Sequence, residues 1–270
     1  MTIDEQNGRS AARRLRWAAR YGLHYLRCQW QRREPSPIIG RYACLGADVL
    51  KLLQPSQEIR NVQKGRVDYL ADCWERPQRR SRTWHVVPHM AREEILDLVL
   101  KNELMYDWLE PRRPVALFMD SMAELGDQLF VHRDQGWGFL SAYTDLTHSA
   151  DFAGAYRSED LLPVEQLEAQ FRRFFTGIRA RFGAIPIFYL HFPATLDDRE
   201  KFKQRHKAIR EAADRIAPEF QPFYSLAVDD ELVDWDEDRT PEMWSFPYHY
   251  NRRTYEAFAQ MVRDTGVFGR

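Results

Sequence analysis

Pro114–Phe130, PVALFMDSMAELGDQLF, limits what this chain can fold into more than any other stretch. Val115–Met119 is a short, unbroken apolar run that follows a Pro-Arg-Arg-Pro break. A strand wetted on one face alternates apolar and polar residues. An unbroken run instead signals burial on both faces, as in a parallel sheet covered by helices. Polar residues follow at once: Asp120, Ser121 and Glu124. Open α/β sheets bind ligands outside the carboxyl ends of their strands, so this cluster falls where chemistry is expected. The same residues also read as a helix start, with Asp120 and Ser121 capping and Glu124 following in the first turn.

The rest of the chain supplies partners for such a strand. Ile38–Gly40 reads as a first strand, Gly46–Leu53 as a helix stopped by Pro55, Ile59–Val62 as a short strand and Val67–Trp74 as a second helix. Trp84–Val87 reads as a strand closed by Pro88, and Ala91–Leu109 as an amphipathic helix leading into Val115–Met119. Pro163–Phe182 has the clearest helical repeat, through Val164, Leu167, Phe171, Phe174, Phe175, Ile178 and Phe182, and Gly183 ends it. Ile185–Leu190 is the next apolar run, with His191-Phe192-Pro193 at its carboxyl end. A helix over Asp198–Ala217, a strand over Pro222–Leu226 and a last helix over Asn251–Val262 complete the series. Alternation at this spacing predicts a parallel sheet with helices on both faces, in which Val115–Met119 and Ile185–Leu190 are neighbours. Phe130–Ser149 holds His132, Trp137 and His148 without a clear period and reads as a long functional loop. The acidic run Val228–Asp238 lacks EF-hand spacing and reads as a solvated loop.

Composition narrows the function. The formal net charge of −1 gives no general attraction to nucleic acid. Three cysteines, Cys28, Cys44 and Cys73, with no CxxC pair argue against a disulfide framework and a zinc site, and no metal or cofactor is expected. The chain has no P-loop, G-x-G-x-x-G or G-x-S-x-G. It shows no apolar run near the length of a membrane span and no signal-peptide core, so a cytoplasmic setting is expected. Residues 1–34 form a separate basic segment and 35–270 a single α/β domain, divided at Glu34-Pro35-Ser36-Pro37. Arg9–Arg33 has many arginines, no acid, and apolar residues near a helical repeat. Such a helix makes peripheral contact with an anionic membrane, packs on the domain with its arginines in water, or serves as an organellar presequence, a reading that Asp4 and Glu5 weaken.

The C-terminal stretch Trp244–Ala259, WSFPYHYNRRTYEAFA, sets His249 in a loop just before a helix that packs through Tyr255 and Phe258. This resembles the last block of the SGNH (GDSL-type) hydrolases, in which a loop histidine is the general base. Met119-Asp120-Ser121 resembles the family's third block, and Ile39-Gly40-Arg41-Tyr42 falls where the first block has its Gly-Asp-Ser turn. The resemblance covers the chain from about Ile38 onward. It implies a three-layer sandwich around a central, mostly parallel five-stranded sheet, flavodoxin-like and of SGNH type. It also implies ester or acyl chemistry on a carbohydrate, of the kind some family members perform in capsule and exopolysaccharide assembly. The chain departs from the pattern at three places: Tyr42 stands where the nucleophilic serine would be, Phe246 replaces the acid before the histidine, and Ser121 or Ala123 replaces the oxyanion asparagine.

Two functions stay open on these residues. In one, His249 acts as base on Ser121 or on a substrate hydroxyl, Asp120 or Glu124 orients it, and Cys44 near a helix start is a candidate nucleophile. Arg41, Tyr42, Glu124 and Asn251 would then bind an acylated small molecule or carbohydrate. In the other, the site is degenerate and the protein binds a glycan or a biosynthetic partner, with His249 a loop tie and Cys44 a small core residue. The linker and the change in charge predict that deleting residues 1–34 leaves a soluble domain with a cooperative thermal melt. Aggregation of the truncated protein would instead identify Arg9–Arg33 as a core helix.

Overall fold

The computed structural model describes residues 37–91, 114–238 and 248–268, together with helical positions 18, 19, 22, 23 and 26. In chain order the strands and α-helices are β1 (Ile38–Arg41), α1 (Cys44–Leu53), β2 (Ile59–Asn61), α2 (Val67–Glu75), α3 (Thr83–Val86), β3 (Ala116–Asp120), α4 (Met122–Gly126), β4 (Gln128–His132), β5 (Gly138–Ser141), α5 (Ala150–Ala155), β6 (Tyr156–Ser158), α6 (Leu167–Phe182), β7 (Ile187–Leu190), α7 (Glu200–Ile216), β8 (Phe223–Leu226) and α8 (Arg252–Asp264). The helix expected over Ala91–Leu109 lies outside the described residues, as does most of Arg9–Arg33. Among the described residues no helix is long and apolar enough to cross a membrane.

Five strands form one parallel sheet in the order β2-β1-β3-β7-β8. The expected pairing of the two apolar runs is present: Leu117 lies opposite Ile187 and Met119 opposite Tyr189, and every residue of β3 and β7 is buried. The period of two in a strand sends neighbours to opposite faces, and both faces are filled. On one side Phe188 packs against Phe118, Tyr224 and Phe268, with ring centroids 5.6, 5.0 and 5.2 Å away. On the other, Tyr189 meets Phe171 of α6 at 5.5 Å, and Phe223 meets Phe175 of α6 at 5.0 Å. α1 packs with α8, while α6 packs with both α2 and α7. The helical repeat of α6 buries Leu167, Phe171, Phe174, Phe175, Ile178 and Phe182, and Gly183 ends the helix at a φ of 70°. Val164, expected on that buried face, instead sits exposed in a 3₁₀ turn before the helix.

Two expectations are corrected. Phe130–Ser149 is not a long loop. Most of it is an antiparallel hairpin, β4 on β5, with β6 on the other edge of β4. Phe130 lies opposite Phe139, and the connection turns at Gly136 with a φ of 71°. Phe130, Trp137, Phe139, Phe152 and Tyr156 close a second hydrophobic core over Val86, Val87 and Met90. Strands this short give alternation too few residues to register, so the aromatic content was legible but the ladder was not. Trp84–Val87 is the second correction: it turns as α3 and a 3₁₀ turn over Val87–His89. Pro88 has no N–H to give a ladder, and Val86 and Val87 are buried against the small sheet rather than within one.

Phe188 is fully buried at the centre of the large sheet. Phe188→Ala is expected to cost about 3–5 kcal/mol, read as a lower urea midpoint at an unchanged slope. A loss below about 1 kcal/mol would show that the ring stack on this face is not a stabilising core.

Candidate functional site

β1 and β3 lie side by side, yet the chain leaves β1 towards β2 on one side and returns through β3 on the other. The crevice at the carboxyl ends of such a pair is where open α/β sheets place ligands. Six of the eight candidate residues converge there, because Arg41, Tyr42 and Cys44 end or follow β1 while Asp120, Ser121 and Glu124 end or follow β3.

Asp120 is the hub. Its Oδ2 accepts hydrogen bonds from the Ala43 N–H at 2.7 Å and the Gly46 N–H at 3.2 Å, and its Oδ1 accepts from the Met122 N–H at 3.2 Å. One side chain therefore caps the start of α1, whose own N-cap Ala43 has no side chain to do so, and also the start of α4. Asp120 fills the capping role foreseen for the next helix and extends it to a helix 77 residues earlier in the chain, whereas the Ser121 side chain makes no cap bond. Burial pushes the Asp120 carboxyl up to about 6, against the pull of Arg41 and of the three N–H donors.

Beside it, the buried Glu124 carboxylate accepts from Arg41 Nη1 at 2.8 Å, from the Tyr189 hydroxyl at 2.9 Å and from the Val67 N–H at 3.2 Å. Burial works against the Arg41 charge, but Glu124, Tyr189 and Asp120 outweigh it and hold the guanidinium pKa above its ordinary value. Nε and Nη2 of Arg41 are buried with no hydrogen-bond partner among the described residues. The backbone carbonyl of Glu124 takes two further bonds from Arg205, at 2.8 and 2.6 Å.

The candidate nucleophiles are engaged elsewhere. Ser121 Oγ is buried and accepts from the Phe192 N–H at 3.0 Å. The Cys44 thiol donates to the Tyr248 carbonyl at 3.4 Å, and burial together with Asp120 pushes it up to about 12, so it is a thiol rather than a thiolate at neutral pH. Tyr42 is a packing wedge. A Cβ at Gly40 or at Gly46 would collide with its side chain, so both glycines are required where the ring sits. Burial also lifts the Tyr42 hydroxyl to about 12.

His249 and Asn251 stand apart from this group. The His249 backbone carbonyl accepts from the Asp236 N–H at 3.4 Å, next to the bridge between Trp235 and Tyr250. Among the described residues no hydrogen bond joins the His249 ring to Ser121, Asp120, Tyr42 or Cys44. Asn251 caps α8, its Oδ1 accepting from the Thr254 N–H at 3.0 Å and the Thr254 hydroxyl at 2.9 Å.

Several polar groups at this edge escaped sequence reasoning. Lys64 is buried between Asp127 and Asp145, at 2.8 and 3.3 Å. Tyr248 bonds through its hydroxyl to Asp197 and Arg199, which themselves form a bidentate pair. Lys64 and Tyr248 lie about 50 to 80 residues from these partners, and no local pattern signals the contacts. Among the described residues no group of three or more His, Cys, Asp or Glu side chains is placed to hold a metal ion.

Asp120→Asn is expected to destabilise the fold by roughly 1–3 kcal/mol at neutral pH, because the amide NH₂ must face one of the backbone donors. The pH dependence has a defined sign. The folded-state pKa of about 6 lies above the ordinary 3.8, so the folded chain holds this proton more tightly than the unfolded chain. The contribution of Asp120 is therefore largest below the ordinary carboxylate value and declines as pH rises to about 6. Urea titrations of both proteins across this range should show the deficit of the variant shrinking as pH rises. A deficit that grows with pH would mean that Asp120 is held as a stabilised anion.

Compared with known proteins, the chain matches no family model, no curated protein and no solved structure.

Proposed function

We propose that this chain is a non-catalytic SGNH-like α/β protein that binds a carbohydrate-bearing ligand at the carboxyl edge of its sheet. The observation that carries the reading is the commitment of Asp120. Backbone N–H groups at the start of α1 are the donors best placed to meet a developing oxyanion. Two of them, from Ala43 and Gly46, are bonded to the buried Asp120 carboxylate. The hydroxyl and thiol that would attack a substrate are likewise bonded to backbone, at Phe192 and Tyr248. A nucleophile needs a base within hydrogen-bond reach, and His249 makes no such bond among the described residues.

Support for the SGNH-like part comes from two directions. Counted within the large sheet alone, the strand order is 2-1-3-4-5, the flavodoxin-like order of doubly wound folds. The segment from His249 through α8 also keeps the inward Tyr255 and Phe258 on which the resemblance rests. The carbohydrate is inferred from that resemblance and is a statement about fold analogy.

The test compares wild type with His249→Ala on acetylated saccharides and on a simple aryl acetate, together with calorimetric binding of the same saccharides. Binding is expected, with ester cleavage no faster than that of the variant. A wild-type rate exceeding the variant's by ~10²–10⁴ would overturn the proposal and restore an SGNH-like esterase or acyltransferase with His249 as its base.

A further inference from the structure

A second polar cleft opens at the carboxyl ends of β7 and β8, beyond the β1–β3 crevice. It encloses about 200 Å³. His191, the residue after β7, and His206 of α7 line it, and Lys203, Lys207 and Arg210 enter from α7 at helical spacing i, i+4 and i+7. Asp230 lines it as well, but its Oδ1 is engaged by the Thr195 hydroxyl at 2.6 Å. With a net charge of −1 on the whole chain, three cations gathered at one small cleft are a local feature.

The hydrogen positions on the two imidazoles follow from their neighbours. Ser225 has one hydroxyl proton, and its Oγ donates it to Asp214 Oδ1 at 2.5 Å. Toward His191 Nε2, at 2.8 Å, Ser225 can then only accept, so Nε2 carries the proton and Nδ1 is a bare lone pair. That Nδ1 is buried with no partner among the described residues, in a residue 5% exposed. His206, 7% exposed, bonds to the Phe192 backbone in a way that favours its protonated form, as a carbonyl does. Its Nε2 is buried without a partner among the described residues. Burial drives His191 down to about 3 and His206 to about 4, so both rings are neutral at pH 7. Two unpartnered lone-pair acceptors are therefore buried in side chains that line a cleft edged by three cations.

Few ligands satisfy both demands. A carboxylate or a sulfate answers the cations but has no proton for the imidazoles at neutral pH. A phosphate group has anionic oxygens and, with a second pKa near 6, keeps an O–H in a fraction of its molecules near neutral pH. We propose that this cleft binds a phosphate group, carried by inorganic phosphate or by a small phosphomonoester. Lys203, Lys207 and Arg210 meet the anionic oxygens, and His191 Nδ1 or His206 Nε2 accepts the P–OH proton. The ion pairs that Lys207 makes with Glu211 at 3.9 Å and Arg210 with Asp214 at 3.8 Å are solvent-exposed and long, so they compete weakly. This site is separate from the β1–β3 crevice, and none of the side chains proposed to meet the phosphate belongs to that crevice.

Calorimetric titration of the full chain at pH 7 and low salt tests the site, with inorganic phosphate, glycerol phosphate and sulfate as separate ligands. Phosphate or its ester is expected to bind about tenfold more tightly than sulfate, the scale of one well-made hydrogen bond. Tighter binding of the ester assigns an organic phosphate, and the reverse assigns free phosphate. Lys207→Gln with Arg210→Gln should weaken either by about tenfold or more, and His191→Leu should abolish the preference over sulfate. Sulfate binding as tightly as phosphate, no phosphate binding, or an unaffected double variant would each overturn the proposal. Should His191→Leu fail to fold by circular dichroism, the double variant, at exposed positions of α7, still separates phosphate binding at this cleft from its absence. Saccharide binding without phosphate binding would sink this site alone, and the opposite result would sink the carbohydrate reading alone.

Discussion

The carboxylate of Asp120 ties the main elements of this fold together. It ends the central strand, and its two oxygens hold the first turns of helices that precede and follow that strand in the chain. Helix starts carry unpaired N–H groups and a partial positive charge, which offset part of the cost of burying the carboxylate there. The same contact fixes where α1 begins relative to β3, and with it the positions of Tyr42 and Cys44. A corner whose N–H groups could accept an anion is used here as a joint.

Around that joint the carboxyl edge of the sheet is unusually charged for a buried region. Arg41, Lys64, Arg66, Glu124, Asp127, Asp145 and Arg205 are all largely removed from water. Replacing such pairs with apolar residues is often neutral or stabilising, whereas removing one partner typically costs about 3–5 kcal/mol. Their value therefore lies less in net stability than in holding the elements in one arrangement. Lys64 links the loop after β2 to Asp127 after α4 and to Asp145 near the small sheet, and Arg66 reaches the carbonyls of Asp127 and Asp160. The second core is thus attached to the large sheet by ion pairs and hydrogen bonds as well as by apolar contact. Tyr69 adds to this with a hydroxyl bond to the Gly138 carbonyl of β5.

The two polar regions at the carboxyl edge differ in how their groups are spent. Between β1 and β3, most polar atoms already have protein partners, apart from two donors of Arg41. At the ends of β7 and β8, two histidines with unpartnered buried nitrogens and three cations with few strong partners of their own line a small cleft. Buried polar atoms are nearly always hydrogen-bonded in native proteins. An unspent buried acceptor beside a cavity therefore points to a ligand more strongly than a satisfied carboxylate does, even where the carboxylate sits at the more conventional position.

The apolar runs of β3 and β7, the repeat of α6 and the inward face of α8 were legible in the sequence, because burial on both faces of a strand or one face of a helix imposes a pattern local to the chain. The basic face of α7 was also there to read in the spacing of Lys203, His206, Lys207 and Arg210. The short strands of the small sheet were not, since four or five residues carry too little alternation and their hydrogen bonds depend on a partner strand. Nor could sequence decide what Asp120, Ser121, Cys44 and His249 do. Each belongs to a residue type able to catalyse, and the fold alone sets which backbone groups distant segments bring within about 3 Å of it, the reach of a hydrogen bond. Local pattern set the layers and most of their elements. Tertiary contact determined that the residues at the sheet's edge hold each other, because their partners are set by packing across the fold and not by spacing along the chain.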